Sequence, residues 1–177
     1  MAITDAAALF ATHHGPLFKY FRRAVDDPEA ARDLTQEVFL RATRAAIPTA
    51  ANGQATAWLF RVARNLALDY HRNRRRRPEF AGLTDKAGRP PSQDIDLAVS
   101  QALAAISDVD RDVFLMREVA GLSYEEIASA CELTADAVRS RIHRTRLALR
   151  DQLAAPIATS RTTAASRSAY INTRIEQ

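Results

Sequence analysis

Wherever this chain carries large apolar side chains, they return every three or four residues. Leu34, Val38 and Ala42 are spaced four and four; Trp58, Leu59, Val62, Leu66 and Tyr70 keep a similar rhythm; Val138, Ile142, Thr145 and Leu149 are spaced four, three and four. That period places side chains on one side of an α-helix, whereas a half-buried strand needs strict alternation. Alternating runs are scarce, alanines are many, and 177 residues include only five glycines. The pattern predicts an all-α protein.

The punctuation divides it. Three of the seven prolines and two of the five glycines fall between Pro78 and Ile95. The chain therefore reads as two small helical domains, residues 1–77 and 96–153, joined by a flexible linker over 78–95. Thr4 is placed to cap a first helix carrying Leu9, Phe10, Leu17, Phe18 and Phe21, which Gly15-Pro16 is expected to break or kink. A second helix starts at Asp27-Pro28 and runs through Ala45, with Asp33, Gln36, Glu37 and Leu40 opposite its apolar stripe. After a loop with an Asn52-Gly53 turn signal, a long helix covers about Thr56 to Arg75 and ends in "RNRRRR". Trp58 lies on its apolar stripe and is assigned to the core; Arg61, Arg64, Asn65, Leu68, Arg72 and Arg75 turn away. In the second domain one helix carries Leu97, Leu103 and Ile106, and another begins at Ser107 or Asp108 and ends at Gly121. The tail, 154–177, has few core residues and a small positive excess, and is expected to be disordered.

Between Leu122 and Arg150, "LSYEEIASACELTADAVRSRIHRTRLALR", two helices are packed into one short motif. Ser123 followed by Glu126 is a capping box that starts the first at Tyr124. It ends near Cys131, Leu133 fills the turn, and Thr134 caps the second. Burying Val138, Ile142, Thr145 and Leu149 leaves Arg139, Ser140, His143 and Arg144 together on the outer face. A short helix, a tight turn and a longer helix with such a face make a helix-turn-helix, whose second helix fits the DNA major groove. Arg139 and Arg144 can grip guanine edges or phosphates.

Those residues, with two further segments, resemble a known family. "DPEAARDLTQEVFLRATRA" (Asp27 to Ala45), "AWLFRVARNLALDYHRNRRRR" (Ala57 to Arg77) and "REVAGLSYEEIASACELTADAVRSRIHRTRLALR" (Arg117 to Arg150) are similar to bacterial RNA polymerase sigma factors of the sigma-70 family, extracytoplasmic-function (ECF) type. The resemblance implies a region 2-like domain over 1–77 that docks on core RNA polymerase through Asp33, Gln36 and Glu37. It implies that Asn52, Arg61, Arg64, Asn65, Asp69 and Arg72 melt and read the minus-10 element of promoter DNA. A region 4-like domain over 96–153 would read the minus-35 element through Arg139, Ser140, His143 and Arg144. Whether an anti-sigma factor also binds is left open. The chain departs from the family pattern in having Ser107-Asp108 where Leu-Pro is usual, Arg32 where an acid is common, Glu132 where glycine is frequent, and Asp136-Ala137 in place of Gly-Thr. A stand-alone helix-turn-helix repressor or activator is the alternative, with no use for Asp33, Gln36 and Glu37.

Other classes have little purchase. The single cysteine, Cys131, admits no internal disulfide and reads as a small core residue in a reducing compartment. His13-His14 diverge by about 100° on a helix and have no carboxylates at ligand spacing, so neither metal nor other cofactor is expected. No phosphate-cradling glycine loop or nucleophile elbow is present, which argues against an enzyme. The start, "MAITDAAALF", lacks a basic n-region, and no apolar run approaches the ~20 residues of a membrane span; a cytoplasmic protein without membrane insertion is expected. Net charge is +4 with a pI near 9.7, and only Lys19 and Lys86 among the 25 cations are lysine. Arginine suits phosphate and base contacts, although codon usage would produce the same bias.

Overall fold

The computed structural model describes the backbone of residues 2–25, 27–45, 53–76 and 91–171, and the side-chain surroundings of 7–25, 27–45, 53–76 and 96–154. The described residues form seven helices and no strands: α1 (Ala2–Ala24), α2 (Pro28–Arg44), α3 (Gln54–Arg76), α4 (Pro91–Ala104), α5 (Asp108–Glu118), α6 (Tyr124–Cys131) and α7 (Ala135–Ile171). The all-α expectation holds. Among the described residues no helix is long and apolar enough to cross a membrane.

Helices α1, α2 and α3 pack against one another, and α7 gathers α4, α5 and α6 around it. Leu17, Tyr20 and Phe21 of α1, Val38 of α2, and Leu59, Phe60 and Ala63 of α3 are all at 0% exposure. Burying an aromatic or aliphatic side chain of this size contributes roughly 1.5–3 kcal/mol, so this set dominates the first unit. Asp27 caps α2, its Oδ1 accepting from the Glu29 and Ala30 amides at 2.9 and 3.2 Å, and Pro28 follows where its missing N–H is harmless. The last turn of α3 is tied back across the unit. The His71 Nε2–H donates to the Ala24 carbonyl at 2.9 Å, and the Tyr70 hydroxyl donates to Asp27 Oδ2 at 3.3 Å.

Three local expectations give way. Helix α1 runs unbroken through Pro16 and begins at Ala2, before Thr4. An internal proline costs about 3 kcal/mol, but Leu17, Tyr20 and Phe21 stand immediately after it with no exposure at all. Their burial on one helical face outweighs one missing hydrogen bond. The linker residues up to Pro90 lie outside the described set, whereas from Pro91 the backbone is already α4, five residues ahead of the expected boundary; proline is well suited to a first helical turn. Helix α7 continues to Ile171, through most of the tail expected to be disordered, and the alanines at 154, 155, 158, 164 and 165 supply the local propensity. The rest of the tail lies outside the described residues.

The two units also touch. Helix α3 packs on α6 and α1 packs on α5, so the buried side chains of both belong to one continuous cluster. At the seam Tyr20, buried against the edge of Phe60 at 5.8 Å between ring centroids, donates its hydroxyl hydrogen to Asp112 Oδ1 of α5 at 2.9 Å.

Candidate nucleic-acid interface

The α6–turn–α7 motif is built as its caps predict. Ser123 Oγ accepts from the Glu126 amide at 3.1 Å while the Ser123 amide donates to Glu126 Oε2 at 2.8 Å, closing the capping box. Glu132 ends α6 in the left-handed conformation, φ 58° and ψ 46°. The Glu132 amide still reaches the Ala128 carbonyl, as does that of Leu133 at 2.9 Å. Thr134 Oγ1 accepts from the Ala137 amide at 3.2 Å and starts α7. Val138, Ile142, Thr145 and Leu149 are buried, and Arg139, Ser140, His143 and Arg144 are exposed, so one surface carries all four expected contact residues.

The remaining arginines of α7 divide by helical phase. Arg141 Nη1 meets Asp110 Oδ1 at 2.7 Å, and Arg146 Nη2 meets Glu118 Oε1 at 2.5 Å. Both tie α7 to α5, and the sequence reading missed this structural use. Burial acts to raise the Asp110 carboxyl pKa, but hydrogen bonds from Ser107 and Arg141 and the nearby Arg144 charge hold it below the ordinary value. Arg139 is posed on two sides: its Nη1 donates to Asp136, and its guanidinium stands 5.3 Å from the Tyr124 ring centroid. Arg117 stands 4.7 Å from the same ring while donating to the Leu122 carbonyl at 2.7 Å. This fixes the short loop before α6 beside Arg139.

On α3 the outcome is mixed. Asn65, Asp69 and Arg72 are exposed along one face, with Arg72 Nη1 3.0 Å from Asp69 Oδ1. Arg61 and Arg64 belong to the same polar face but point into the seam. Arg61 Nη2 donates to the Ser129 carbonyl of α6 at 2.6 Å, and Arg64 Nε to Asp112 Oδ2 at 3.0 Å. Trp58 is half-buried against the core, in keeping with its stripe. Asn52 lies outside the described residues.

The third set sits on α2, which packs on α1 and α3. Asp33 and Gln36 are exposed and Glu37 is half-buried, its Oε1 paired with Arg41 Nε at 2.8 Å. The opposite face buries Ala31, Thr35, Val38 and Ala42, with the Thr35 hydroxyl satisfied by the Ala31 carbonyl at 2.6 Å. Leu40, 50% exposed, extends the outer face.

Comparison with known proteins gives this geometry a context. The sigma-70 region 2 family matches residues 9–77, and the sigma-70 region 4 family matches residues 96–149. The chain is 34% identical over 152 residues to the ECF RNA polymerase sigma factor SigL of Mycobacterium tuberculosis, covering 81% of this chain and 85% of that one. It is 33% identical over 153 residues to SigE of Mycolicibacterium smegmatis, an ECF RNA polymerase sigma factor, spanning 80% of this chain and 59% of the longer relative. Among solved structures, CnrH in complex with the cytosolic domain of CnrY superposes with a TM-score of 0.65 at 25% identity, covering 86% of this chain and 89% of that one. The sigma factor RpoE of Bartonella quintana, solved with the anti-sigma factor NepR, gives 0.61 at 23% identity over 85% and 98% of the two chains.

Proposed function

The chain belongs to the sigma-70 family of RNA polymerase sigma factors, in its ECF branch, and from that premise we propose how its surfaces divide the work of promoter-directed initiation. The chain binds core RNA polymerase and carries it to promoters, acting where that enzyme is, in the cytoplasm. Asp33, Gln36 and Glu37 dock on the polymerase. Arg139, Ser140, His143 and Arg144 read minus-35 duplex in the major groove, where arginine meets guanine with two parallel hydrogen bonds and serine or histidine meets a base edge or phosphate. The polar face of α3, with Asn52, Arg61, Arg64, Asn65, Asp69 and Arg72, receives the separated strand of the minus-10 element. Strand separation costs a few kcal/mol per step, and a cationic surface that holds unstacked bases offsets it.

The observation that carries this reading is the capped helix-turn-helix with four exposed reading residues on a chain that also presents an acidic and amide cluster on a different unit. A repressor needs the first and has no use for the second. The CnrH relative's complex with the cytosolic domain of CnrY supports a further protein partner for this chain. The test is run-off transcription with core polymerase on a promoter identified from transcripts raised by overexpression. Wild type is expected to direct initiation, and Asp33→Arg with Glu37→Arg to abolish it while leaving duplex binding by α7 intact. Tight duplex binding without polymerase, together with no transcription, would establish the repressor instead.

A further inference from the structure

The acids that pair with the arginines of α7 differ in what they join. Asp110 and Glu118 reach Arg141 and Arg146 from α5, so those two pairs hold helices together. Asp136 pairs with Arg139 from three residues away on α7 itself, and the two side chains are 89% and 52% exposed. An exposed pair within one helix adds little to stability. Its position is more telling. Asp136 stands in the first turn of α7. Residues 136, 139, 140, 143 and 144 are spaced three, one, three and one, which puts the acid on the outer face with the four residues proposed to read minus-35 duplex. The N-terminal residues of a recognition helix are the ones that meet base edges.

The major groove limits what a carboxylate can take there. An ionised aspartate only accepts hydrogen bonds. Phosphate oxygens, guanine N7 and O6 and thymine O4 are acceptors too, and give it nothing to accept. Adenine sets its N6 amino donor beside the N7 acceptor, whereas cytosine shows an N4 amino donor with no acceptor on the same edge. Cytosine is therefore the base that suits Asp136. We propose that Asp136 is a specificity residue, accepting a hydrogen bond from the amino group of a cytosine in the base pair next to the guanine read by Arg139. The proposal rests on the assignment of α7 as the minus-35 helix. Three residues rise about 4.5 Å along a helix, close to the roughly 3.4 Å step between base pairs. Accepting from Arg139 leaves the carboxylate further lone pairs, and the Tyr124 ring, 5.3 Å from the guanidinium, steadies the pair. Glycine, frequent at this position in the family, has no side chain to make such a contact.

The experiment uses the full chain with core polymerase on the run-off promoter, its minus-35 region randomised and its transcripts counted by sequencing. Arg139→Ala marks the guanine, as the position whose preference it abolishes. Wild type is expected to favour cytosine by about tenfold one base pair away. Asp136→Gly is expected to flatten that preference, and Asp136→Asn, whose amide both donates and accepts, to move it to adenine. A residue that merely steadied Arg139 would behave differently: both variants would weaken the guanine preference and change no second position. That outcome overturns the proposal, as does an Asp136→Gly profile identical to wild type. Circular dichroism of each variant checks that helicity is retained. If the wild-type chain directs no transcription, the sigma-factor reading fails on its own account, and selection of the same randomised duplex on the chain alone applies the same criteria to Asp136; a chain that selects no sequence there overturns the proposal as well.

Discussion

The turn of the helix-turn-helix offers a clean measurement, because its strain sits on one exposed residue. Glu132 holds φ 58° and ψ 46°, and among the described residues it is the single non-glycine residue with positive φ. A left-handed L-residue pays about 1–2 kcal/mol for the approach of its Cβ to the carbonyl oxygen. Glycine escapes that strain but loses more conformational freedom on folding, by roughly 0.5–1 kcal/mol. The Glu132 side chain is exposed, and the amide bonds of residues 132 and 133 to the Ala128 carbonyl do not depend on its identity. Glu132→Gly is therefore expected to stabilise by about 0.5–1 kcal/mol, which for a chain of this size raises the melting temperature by about 1–4 °C. Glu132→Ala keeps the Cβ and the strain, and is expected to leave stability near wild type. Urea unfolding of the three proteins, followed by helical circular dichroism, gives the comparison directly. If glycine proves no more stable than alanine at this position, the backbone is not strained there and the account of the turn is wrong.

The other expectations concern the surfaces proposed to face DNA, and acid. Arg144→Ala or Arg139→Ala should weaken minus-35 duplex binding by about 1–3 kcal/mol, roughly 5- to 150-fold, per lost base contact; unchanged promoter preference in both would remove them from the reading face. Asn65→Ala should slow promoter opening while core polymerase binding persists, and a permanganate footprint with normal thymine reactivity would count against it. His71 titrates below its ordinary 6.5, first because it is buried and further because Arg111 and Arg75 lie near, with the Ala24 carbonyl and Asp108 opposing. Burial likewise lowers His13, against the pull of Glu126. Both favour the neutral ring in the fold, so their contribution is complete above about pH 6.5 and is lost as pH falls through the lower folded values. Urea midpoints should decline on that descent, and less steeply in a His13→Gln, His71→Gln double variant; equal slopes would exclude these rings as the cause. Cys131, buried with its thiol pushed up to about 11 by desolvation, should react slowly with iodoacetamide at neutral pH unless the chain is unfolded.

What the sequence disclosed was local. A cap needs two residues three apart, so Ser123 with Glu126, and Thr134 with Ala137, were readable and the helix-turn-helix followed from them. Helical phase was readable too, and it placed Arg139, Ser140, His143 and Arg144 outside as found. Where three apolar residues stand in a row, phase is ambiguous: Phe60 went unnoticed beside Trp58 and Leu59, yet it is fully buried while Trp58 is not. Pro16 was misjudged because a breaker acts through one hydrogen bond, and the burial that overrides it comes from other helices. The seam was beyond reach for a related reason, since Tyr20 and Asp112 are 92 residues apart and no periodicity links them. One trace existed: Asp112 interrupts an apolar face between Val109 and Met116, and an acid in that place needs a buried partner.

On the proposed assignment, Arg139 would meet the groove with its hand already held. Its guanidinium leans on the carboxylate of Asp136 and the face of Tyr124 before any nucleotide arrives. A negative group beside the reading cation repels the phosphodiester backbone wherever the helix lands, while a guanine edge carries no net charge to be repelled. Such a neighbour weakens indiscriminate attachment more than correct docking, so on the proposed assignment of α7 the acid at position 136 would sharpen the choice of promoter.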